Sequence, residues 1–158
     1  MSSSELHKPR MVKIRFPLPQ NDPSGGEAEW MWAEATENSG YTVKNVPTFL
    51  FGISFGDTVR TKILDGCLEF ESILARGGHS TYRIYSKVDQ DDDNLKTLLN
   101  RLTSLHCEFE RATHKVVGVD VLPEANIHAV YETLQGAEDA GFIEFEEGHC
   151  GHTVKTEE

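Results

Sequence analysis

Arg76-Gly77-Gly78-His79-Ser80-Thr81-Tyr82-Arg83-Ile84-Tyr85 is the stretch at which the sequence pattern of the chain changes. Short alternating apolar segments and turns precede it, whereas strand and helix patterns alternate after it. It also holds the densest group of polar side chains in the protein, directly after a pair of glycines. We therefore predict two lobes, residues 11–76 and residues 77–150, between a disordered tail of residues 1–10 and a second tail of residues 151–158.

The second lobe carries the clearer pattern. Two stretches repeat apolar residues at the spacing of an amphipathic helix, the first over residues 94–104 and the second from Ile127 to Leu134. Strand patterns stand before, between and after these helices, at residues 81–86, 107–110, 117–122 and 142–147. The succession strand-helix-strand-strand-helix-strand predicts a ferredoxin-like βαββαβ lobe, and with it an α+β protein.

The first lobe is predicted to contain about five short strands. The segment Val12 to Phe16 alternates apolar and basic residues, which is the period of a half-buried strand. Asp65-Gly66 suits a tight hairpin turn with positive φ. Trp30 and Trp32 share one face of a strand, and such an aromatic pair belongs more often to a core than to a ligand groove. The lobe is therefore predicted to be a small bent β-sheet or a partly open β-barrel.

The net charge of −11 is concentrated in the second half of the chain. Residues 1–78 hold eight Lys/Arg and ten Asp/Glu, a net of −2, while residues 79–158 hold seven and sixteen, a net of −9. This sign disfavours nucleic acid and anionic membranes as partners, because both are themselves negative. A cationic protein partner is favoured, since complementary fields speed encounter. The alternative is that the acidity only maintains solubility.

The compartment is predicted from the cysteines and the N-terminus. Cys67, Cys107 and Cys150 are odd in number and far apart, which fits reduced thiols better than a disulfide framework. The first ten residues lack the apolar region of a secretory signal, and no apolar run reaches the roughly 20 residues of a membrane-spanning helix. We therefore expect a cytoplasmic protein.

Two polar clusters have a superficial likeness to metal sites. The run from Asp89 to Asn94 lacks the internal glycine and the bidentate glutamate of an EF-hand loop, so one aspartate is better explained as a helix N-cap. His149, Cys150 and His152 offer three ligands, whereas a structural zinc site takes four. We predict no metal and no cofactor.

The polar residues of the central stretch are weighed as a site by the alternation of a strand. His79, Thr81 and Arg83 share one side, while Ser80 and Tyr82 face the other. A hydroxyl nucleophile at Ser80 and a base at His79 therefore diverge, and we predict no catalytic residue. An anion site at His79 and Arg83 stays open. So does a polar hinge in which these side chains tie the two lobes together by hydrogen bonds.

Several stretches, taken in order and spacing, carry a family resemblance: Val12-Lys13-Ile14-Arg15-Phe16, Glu29-Trp30-Met31-Trp32-Ala33-Glu34, Asn45-Val46-Pro47, Gly56-Asp57-Thr58-Val59, Gly77-Gly78-His79-Ser80-Thr81-Tyr82-Arg83 and Glu146-Glu147-Gly148-His149. Over roughly residues 11–152 the chain resembles the bacterial family catalogued as domain of unknown function 4265. The resemblance brings no catalytic residues with it. It implies a bacterial, cytoplasmic, stand-alone protein. Many small acidic bacterial proteins of this kind are immunity proteins, which is an analogy of type.

The leading hypothesis is a non-enzymatic acidic binding protein, an immunity-type inhibitor that neutralises a cationic toxin by binding to it. The residues predicted to contact the partner, or an anion, come from the central stretch and from the acidic segments of the second lobe: His79, Thr81, Arg83, Asp91, Asp92, Asp93, Glu108 and Glu110. The alternative hypothesis is a module that senses a small molecule or anion in a pocket at the junction of the lobes, around His79 and Arg83.

Overall fold

The structure is a computed structural model that describes residues 10–154. Its first five strands lie in the predicted first lobe: β1 (Met11–Pro17), β2 (Ala28–Ala35), β3 (Tyr41–Val43), β4 (Thr58–Leu64) and β5 (Cys67–Ala75). The remaining elements lie after them: β6 (Ser80–Ser86), α1 (Asp93–Ser104), β7 (Cys107–Arg111), β8 (Val116–Val121), α2 (Ile127–Asp139) and β9 (Ile143–His149). The protein is therefore of mixed α+β class, as predicted. The predicted tail positions 1–9 and 155–158 lie outside the described residues.

The first lobe is a closed five-stranded barrel, whereas the sequence predicts a bent sheet or a partly open barrel. Consecutive strands pair antiparallel, and β1 closes the barrel by pairing in parallel with β5 at Ile14↔Leu68 and Arg15↔Glu69. The β4–β5 ladder has two irregularities of register, between Thr58 and Val59 and between Arg60 and Thr61. Such bulges bend a strand pair, and they account for the curvature that brings β5 to β1.

The barrel interior is filled by apolar side chains: Ile14, Phe16, Met31, Ala33, Val43, Ile53 and Val59. Met31 and Ala33 occupy the inner face of β2. Trp30 and Trp32 therefore point outward and are 46% and 45% exposed, so the prediction of a core tryptophan pair is wrong. The sequence correctly indicates that Trp30 and Trp32 lie on one face of β2 and Met31 and Ala33 on the other. The face with the larger side chains, however, is the outer one. Asp65 and Gly66 form the predicted β4–β5 turn, with φ of 52° and 78°.

The second lobe is a four-stranded sheet in the order β7-β8-β6-β9, with each neighbouring pair antiparallel. Both helices pack against it through the apolar stripes that the sequence shows, and the shared core includes Leu95, Leu102, Val130 and Leu134. Helix α1 begins where predicted because the Asp92 carboxylate accepts hydrogen bonds from the backbone N–H groups of residues 94 and 95. The capping explanation of the acidic run is thus confirmed.

Residues 44–57, between β3 and β4, form a long connection that we call the junction loop. It lies against the side of the second sheet that does not carry the helices, since it contacts Thr81 and Arg83 of β6, whereas Tyr82 and Ile84 enter the core beneath the helices. Within the described residues 10–154, no helix is long and apolar enough to span a bilayer.

Candidate functional site

The strand β6 divides its side chains between two environments, as the predicted alternation requires. Tyr82 and Ile84 enter the core beneath the helices. Thr81 and Arg83 point to the opposite side and contact the junction loop. The shared side of Thr81 and Arg83 is thus confirmed, but both residues are buried, so neither lies on a surface that a protein partner could reach.

Arg83 is the largest fully buried side chain in the described part of the chain. Its Nε donates to Glu146 Oε1 at 2.9 Å. Its terminal nitrogens donate to three carbonyl oxygens of the junction loop, those of Leu50 at 2.9 Å and of Pro47 and Phe49 at 3.3 Å each. Because these donors are already bound within the chain, Arg83 is not available to a free anion.

Gly148 on β9 makes the position of Arg83 possible. A Cβ atom at residue 148 would lie 2.5 Å from Arg83 Nη1, inside the contact distance of the two atoms. The same segment holds the loop directly, since the Gly52 N–H donates to the Gly148 carbonyl at 2.9 Å. The Glu146-Glu147-Gly148-His149 stretch therefore supplies both a partner for Arg83 and the space that it occupies.

Glu29 holds the same loop from the barrel side. Its carboxylate accepts three backbone N–H bonds, from Thr48 at 2.6 Å and from Phe49 and Leu50 at 2.9 Å each. The loop backbone at residues 47–50 is thus bound on its N–H groups by an anion and on its carbonyls by the Arg83 cation. Sequence reasoning missed Glu29, although a glutamate at the start of an apolar strand was a usable signal.

Glu110, predicted to contact a partner, is also used inside the chain. Its carboxylate accepts from Asn45 Nδ2 and from the Val46 N–H, both at 2.9 Å. Val46 packs so closely on β8 that a Cβ at Gly118 would lie 2.8 Å from its side chain. Glu110 therefore anchors the first residues of the junction loop to the second sheet.

The end of the loop is fixed by Asp57, which is fully buried. Its Oδ2 accepts from the Ser54 N–H at 2.9 Å and from Arg76 Nη1 at 3.0 Å, and its Oδ1 accepts from the Gly77 N–H at 3.0 Å. Arg76 also donates to the Gly52 carbonyl at 2.7 Å. These bonds give Asp57 a structural role, because its carboxylate joins the end of the junction loop to Arg76 and Gly77.

His79 is paired with Asp120 of β8, with 2.7 Å between Nδ1 and the carboxylate Oδ1. Burial raises the pKa of Asp120, and the hydrogen bond to His79 opposes that rise. The ring of His79 also packs on Phe55 of the junction loop, at 5.6 Å between centroids. The predicted pairing of His79 with Arg83 in an anion site is therefore replaced by two separate sets of contacts.

Two hydroxyl–imidazole contacts occur near the end of β9. Ser54 Oγ lies 2.9 Å from His149 Nδ1 and 2.7 Å from Thr81 Oγ1. Burial, followed by the charge of Arg76, lowers the pKa of His149. Both Ser54 and Thr81 are buried, so the contact ties the loop to the sheet rather than presenting a hydroxyl to solvent.

His152 makes the second of these contacts. Its Nε2 donates to the Leu122 carbonyl at 2.9 Å, so in the neutral ring Nδ1 is the acceptor for the Ser80 hydroxyl at 2.6 Å. The Gly151 N–H also donates to Ser80 Oγ. Residues 151 and 152, assigned from the sequence to a tail, are thus bound to β6.

His149, Cys150 and His152 have separate partners. Within residues 10–154, no three His, Cys, Asp or Glu side chains are placed so that they could hold one metal ion together.

The other predicted contact residues do not converge on one surface. Asp91 and Asp93 are exposed near the start of α1, where Asp92 is the N-cap. Glu108 is exposed on β7, which is an edge strand of the sheet, opposite Asp120 of β8. The structure thus separates the predicted set into buried residues that hold the lobes together and exposed carboxylates on two parts of the second lobe.

A cleft of about 280 Å³ lies beside the Arg83 contacts, at the junction of the lobes. We call it the junction cleft, and the side chains that matter in it are Asp22, Phe49, Phe51, Tyr85 and Glu146. The sequence predicts a buried apolar run from residue 49 to residue 55. The structure buries Ile53 and leaves Phe49 and Phe51 42% and 58% exposed, because the loop hydrogen bonds turn the backbone of residues 47–50 toward the sheet.

A family model matches the part of the chain that contains most of these segments. The family model described as "Domain of unknown function (DUF4265)" matches residues 29–145. The chain belongs to the DUF4265 family. The match confirms the resemblance seen in the sequence, and it includes the junction loop and most of the residues of this DUF4265 chain that bind it.

A solved structure shares the fold of this DUF4265 protein. It is a crystal structure of a hypothetical protein from Neisseria gonorrhoeae, similar with a TM-score of 0.78 and 16% sequence identity, over 93% of this chain and 100% of that chain. At that identity the likeness concerns the fold alone. A search of curated proteins gave no match.

Proposed function

We propose that this DUF4265 protein is a non-enzymatic binding protein for a cationic protein partner, in the manner of an immunity-type inhibitor of a toxin. The observation that carries the proposal is the charge of the second half, −9 over residues 79–158, with Asp91, Asp93 and Glu108 exposed. Exposed carboxylates of one sign steer an oppositely charged partner and favour its encounter.

The burial of two serine hydroxyls near histidines and of the Cys107 thiol supports binding over catalysis. A nucleophile must touch its substrate, whereas Ser54 and Ser80 are both fully buried and hydrogen-bonded within the chain. Burial raises the pKa of the Cys107 thiol to about 12, so this cysteine is protonated at neutral pH and is a poor nucleophile.

Two finer proposals accompany this function. We infer that the second lobe is a ferredoxin-like lobe, which the antiparallel order β7-β8-β6-β9 and the packing of both helices on one face support. We also propose a cytoplasmic location for the protein. The free thiols Cys67, Cys107 and Cys150 support that location.

Co-expression of the tagged chain with the product of the neighbouring gene, followed by capture, tests the proposal. We expect a basic protein to be retained at about 0.15 M salt and released at about 1 M, where charges are screened beyond about 3 Å. The triple variant Asp91→Asn, Asp93→Asn, Glu108→Gln should lose most of the retention. A control that neutralises the exposed barrel residues Glu37 and Glu71 should keep it.

Two results would overturn the proposal. One is the absence of any protein partner at near-physiological salt from the native host as well as from co-expression. The other is a partner that stays bound at about 1 M salt and binds the triple variant as tightly as it binds the parent protein, since neither behaviour fits an electrostatic complex.

A further inference from the structure

The junction cleft combines aromatic walls with carboxylates. Phe49 and Phe51 project from the junction loop, and Tyr85 of β6 faces them. Glu146 lies in the same cleft and accepts from the Tyr85 hydroxyl at 2.7 Å, and Asp22 lies at the rim in the loop between β1 and β2. Burial and the bond to Glu146 raise the pKa of Tyr85 to about 12, so its hydroxyl remains a donor at neutral pH.

The two phenylalanines are held in place before any ligand arrives. The N–H groups of residues 48–50 donate three hydrogen bonds to Glu29, and the carbonyls of residues 47, 49 and 50 accept from Arg83. Directly after Phe51, the Gly52 N–H donates to the Gly148 carbonyl. A loop whose backbone is already fixed loses little backbone freedom on binding, and this preorganisation favours affinity. Exposed aromatic groups that lie together on a rigid segment are typical of interaction sites.

The charges of the cleft select the sign of its ligand. Arg83 lies behind Phe51, with its guanidinium carbon 4.6 Å from the ring centre, and its Nε is paired with Glu146 Oε1. The positive charge of Arg83 is thereby offset by Glu146, and the carboxylate of Asp22 at the rim adds a further negative charge. An anion would meet net negative charge here, whereas a cation meets aromatic faces and carboxylates, both of which attract it.

We propose that the junction cleft binds one lysine or arginine side chain of the protein partner, with the aliphatic stem packed on Phe49 and Phe51 and the charged end near Glu146 and Asp22. This inference rests on the proposed function, because it names the anchor by which a cationic partner is held. The cleft has a volume of about 280 Å³. This is at the lower limit of the range of about 300–1,000 Å³ for pockets that take small molecules and cofactors, so the volume agrees with a ligand as small as one side chain.

The cleft can be tested on the purified chain without any partner. We would titrate N-acetyl-arginine amide and N-acetyl-lysine amide into the ¹⁵N-labelled protein and follow the amide signals by NMR. We expect dissociation constants of about 1–10 mM, as for a single side chain, with shifts confined to residues 22, 24, 49–52, 85 and 146. The capped amide of citrulline, which has the shape of arginine without its charge, should bind at least about fivefold more weakly.

Variants separate the cleft from general effects of charge. Phe51→Ala and Asp22→Asn should each weaken arginine amide binding at least about threefold. Ile63→Ala removes an apolar group that is 77% exposed on the barrel hairpin, and it should leave binding unchanged. The ¹⁵N spectrum of each variant shows whether the fold is retained.

The outcomes for the cleft and for the proposed function are distinguishable. Equal binding of citrulline and arginine amides, shifts outside the cleft, or full affinity in Phe51→Ala would overturn the cleft proposal even if a partner is captured. In a captured complex, Phe51→Ala should reduce affinity about tenfold or more, as expected for an anchor position. Recovery of no partner would instead overturn the proposed function, whatever the model amides do.

Discussion

Arg83 and Phe51 are in contact, and the exposure of each is the reverse of what its chemistry favours. The guanidinium carbon of Arg83 lies 4.6 Å from the centre of the Phe51 ring. Arg83 is fully buried, whereas Phe51 is 58% exposed. The buried charge is compensated by Glu146 and by three loop carbonyls. The Phe51 ring, by contrast, keeps most of its apolar surface in contact with water.

This difference in exposure shows that the residues that hold the lobe junction together are not the residues that the junction exposes. Polar residues that resemble a site in the sequence contact the junction loop instead: Thr81 and Arg83 by hydrogen bonds, and His79 by packing on Phe55. The apolar rings that resemble core, Phe49 and Phe51, are left at the surface. The junction loop is therefore held by polar contacts and exposes aromatic rings, beside the carboxylates of Asp22 and Glu146.

The largest expected effect is on the buried side of this comparison. Arg83→Met keeps the apolar stem of the side chain but removes the guanidinium and every donor, leaving loop carbonyls and the Glu146 carboxylate without their partner. Removing one member of a buried charge pair costs about 3–5 kcal/mol, and the 39% exposure of Glu146 places this pair near the lower end of that range. Urea unfolding should show a loss of this size in the free energy of unfolding.

The control for Arg83 is Arg60→Met, because Arg60 is exposed on β4. A change within about 0.5 kcal/mol is expected there, as for most surface substitutions. If Arg83→Met were as mild as Arg60→Met, the polar residues at the junction would not be what holds the loop.

Glu29→Ala should have the next largest effect. The substitution leaves three loop N–H groups without their acceptor, and an unsatisfied donor costs about 1–3 kcal/mol when water cannot replace the partner fully. Unfolding in urea measures the loss. Glu27→Ala, two residues earlier and exposed, is the matched control, and an equal loss in both variants would contradict the role assigned to Glu29.

A smaller effect is expected from His149, through pH. Burial and the charge of Arg76 lower its pKa in the folded state, and Asp57 and Glu147 oppose that shift. Below the ordinary histidine value of about 6.5, the unfolded chain therefore takes up a proton more readily than the folded chain. Stability should fall as the pH falls from about 6.5 through the lowered pKa, and it should be fully present above that range.

His149→Gln removes the titrating ring and should flatten this part of the pH dependence. Thermal unfolding between about pH 7 and pH 5.5 measures the slope, in a range above the titration of ordinary carboxylates. The same substitution at His114, exposed in the β7–β8 connection, is the control. An unchanged slope in His149→Gln would show that another group is responsible.

Phe51→Ala should have the smallest effect on stability, in contrast to its effect on binding. The ring is mostly exposed, so its removal should change the free energy of unfolding by no more than about 0.5 kcal/mol. Urea unfolding of Phe51→Ala and Arg83→Met under the same conditions compares the two free energies of unfolding directly. A loss above about 1.5 kcal/mol in Phe51→Ala would mean that the ring serves the fold, like a core side chain.

The elements of the second lobe were predictable because their signals are local. Leucines at helical spacing and the aspartate cap define α1 between Asp93 and Ser104, close to the predicted 94–104. Barrel closure was not predictable in this way. It depends on a parallel contact between β1 and β5, more than fifty residues apart in the chain, and on bulges whose positions no residue type announces.

The site was predictable only in part, for a related reason. Strand alternation correctly assigned Thr81 and Arg83 to one side of β6, but it does not tell what covers that side. The cover comes from residues 47–50, more than thirty positions earlier, and it is held by Glu29 from a third element. Such contacts exist only after the two lobes have come together. A buried arginine and an exposed phenylalanine therefore looked, in sequence, like a binding residue and a core residue.

Amide hydrogen exchange of the unmodified protein at Thr48, Phe49 and Leu50 tests most directly whether the junction loop is a rigid support. These N–H groups are bound by the Glu29 carboxylate, although Phe49 is an exposed loop residue. We expect all three to exchange at least about a hundredfold more slowly than in an unfolded chain. Exchange at nearly the unfolded rate would contradict the account, because a loop that opens freely cannot present Phe49 and Phe51 as a preformed binding face.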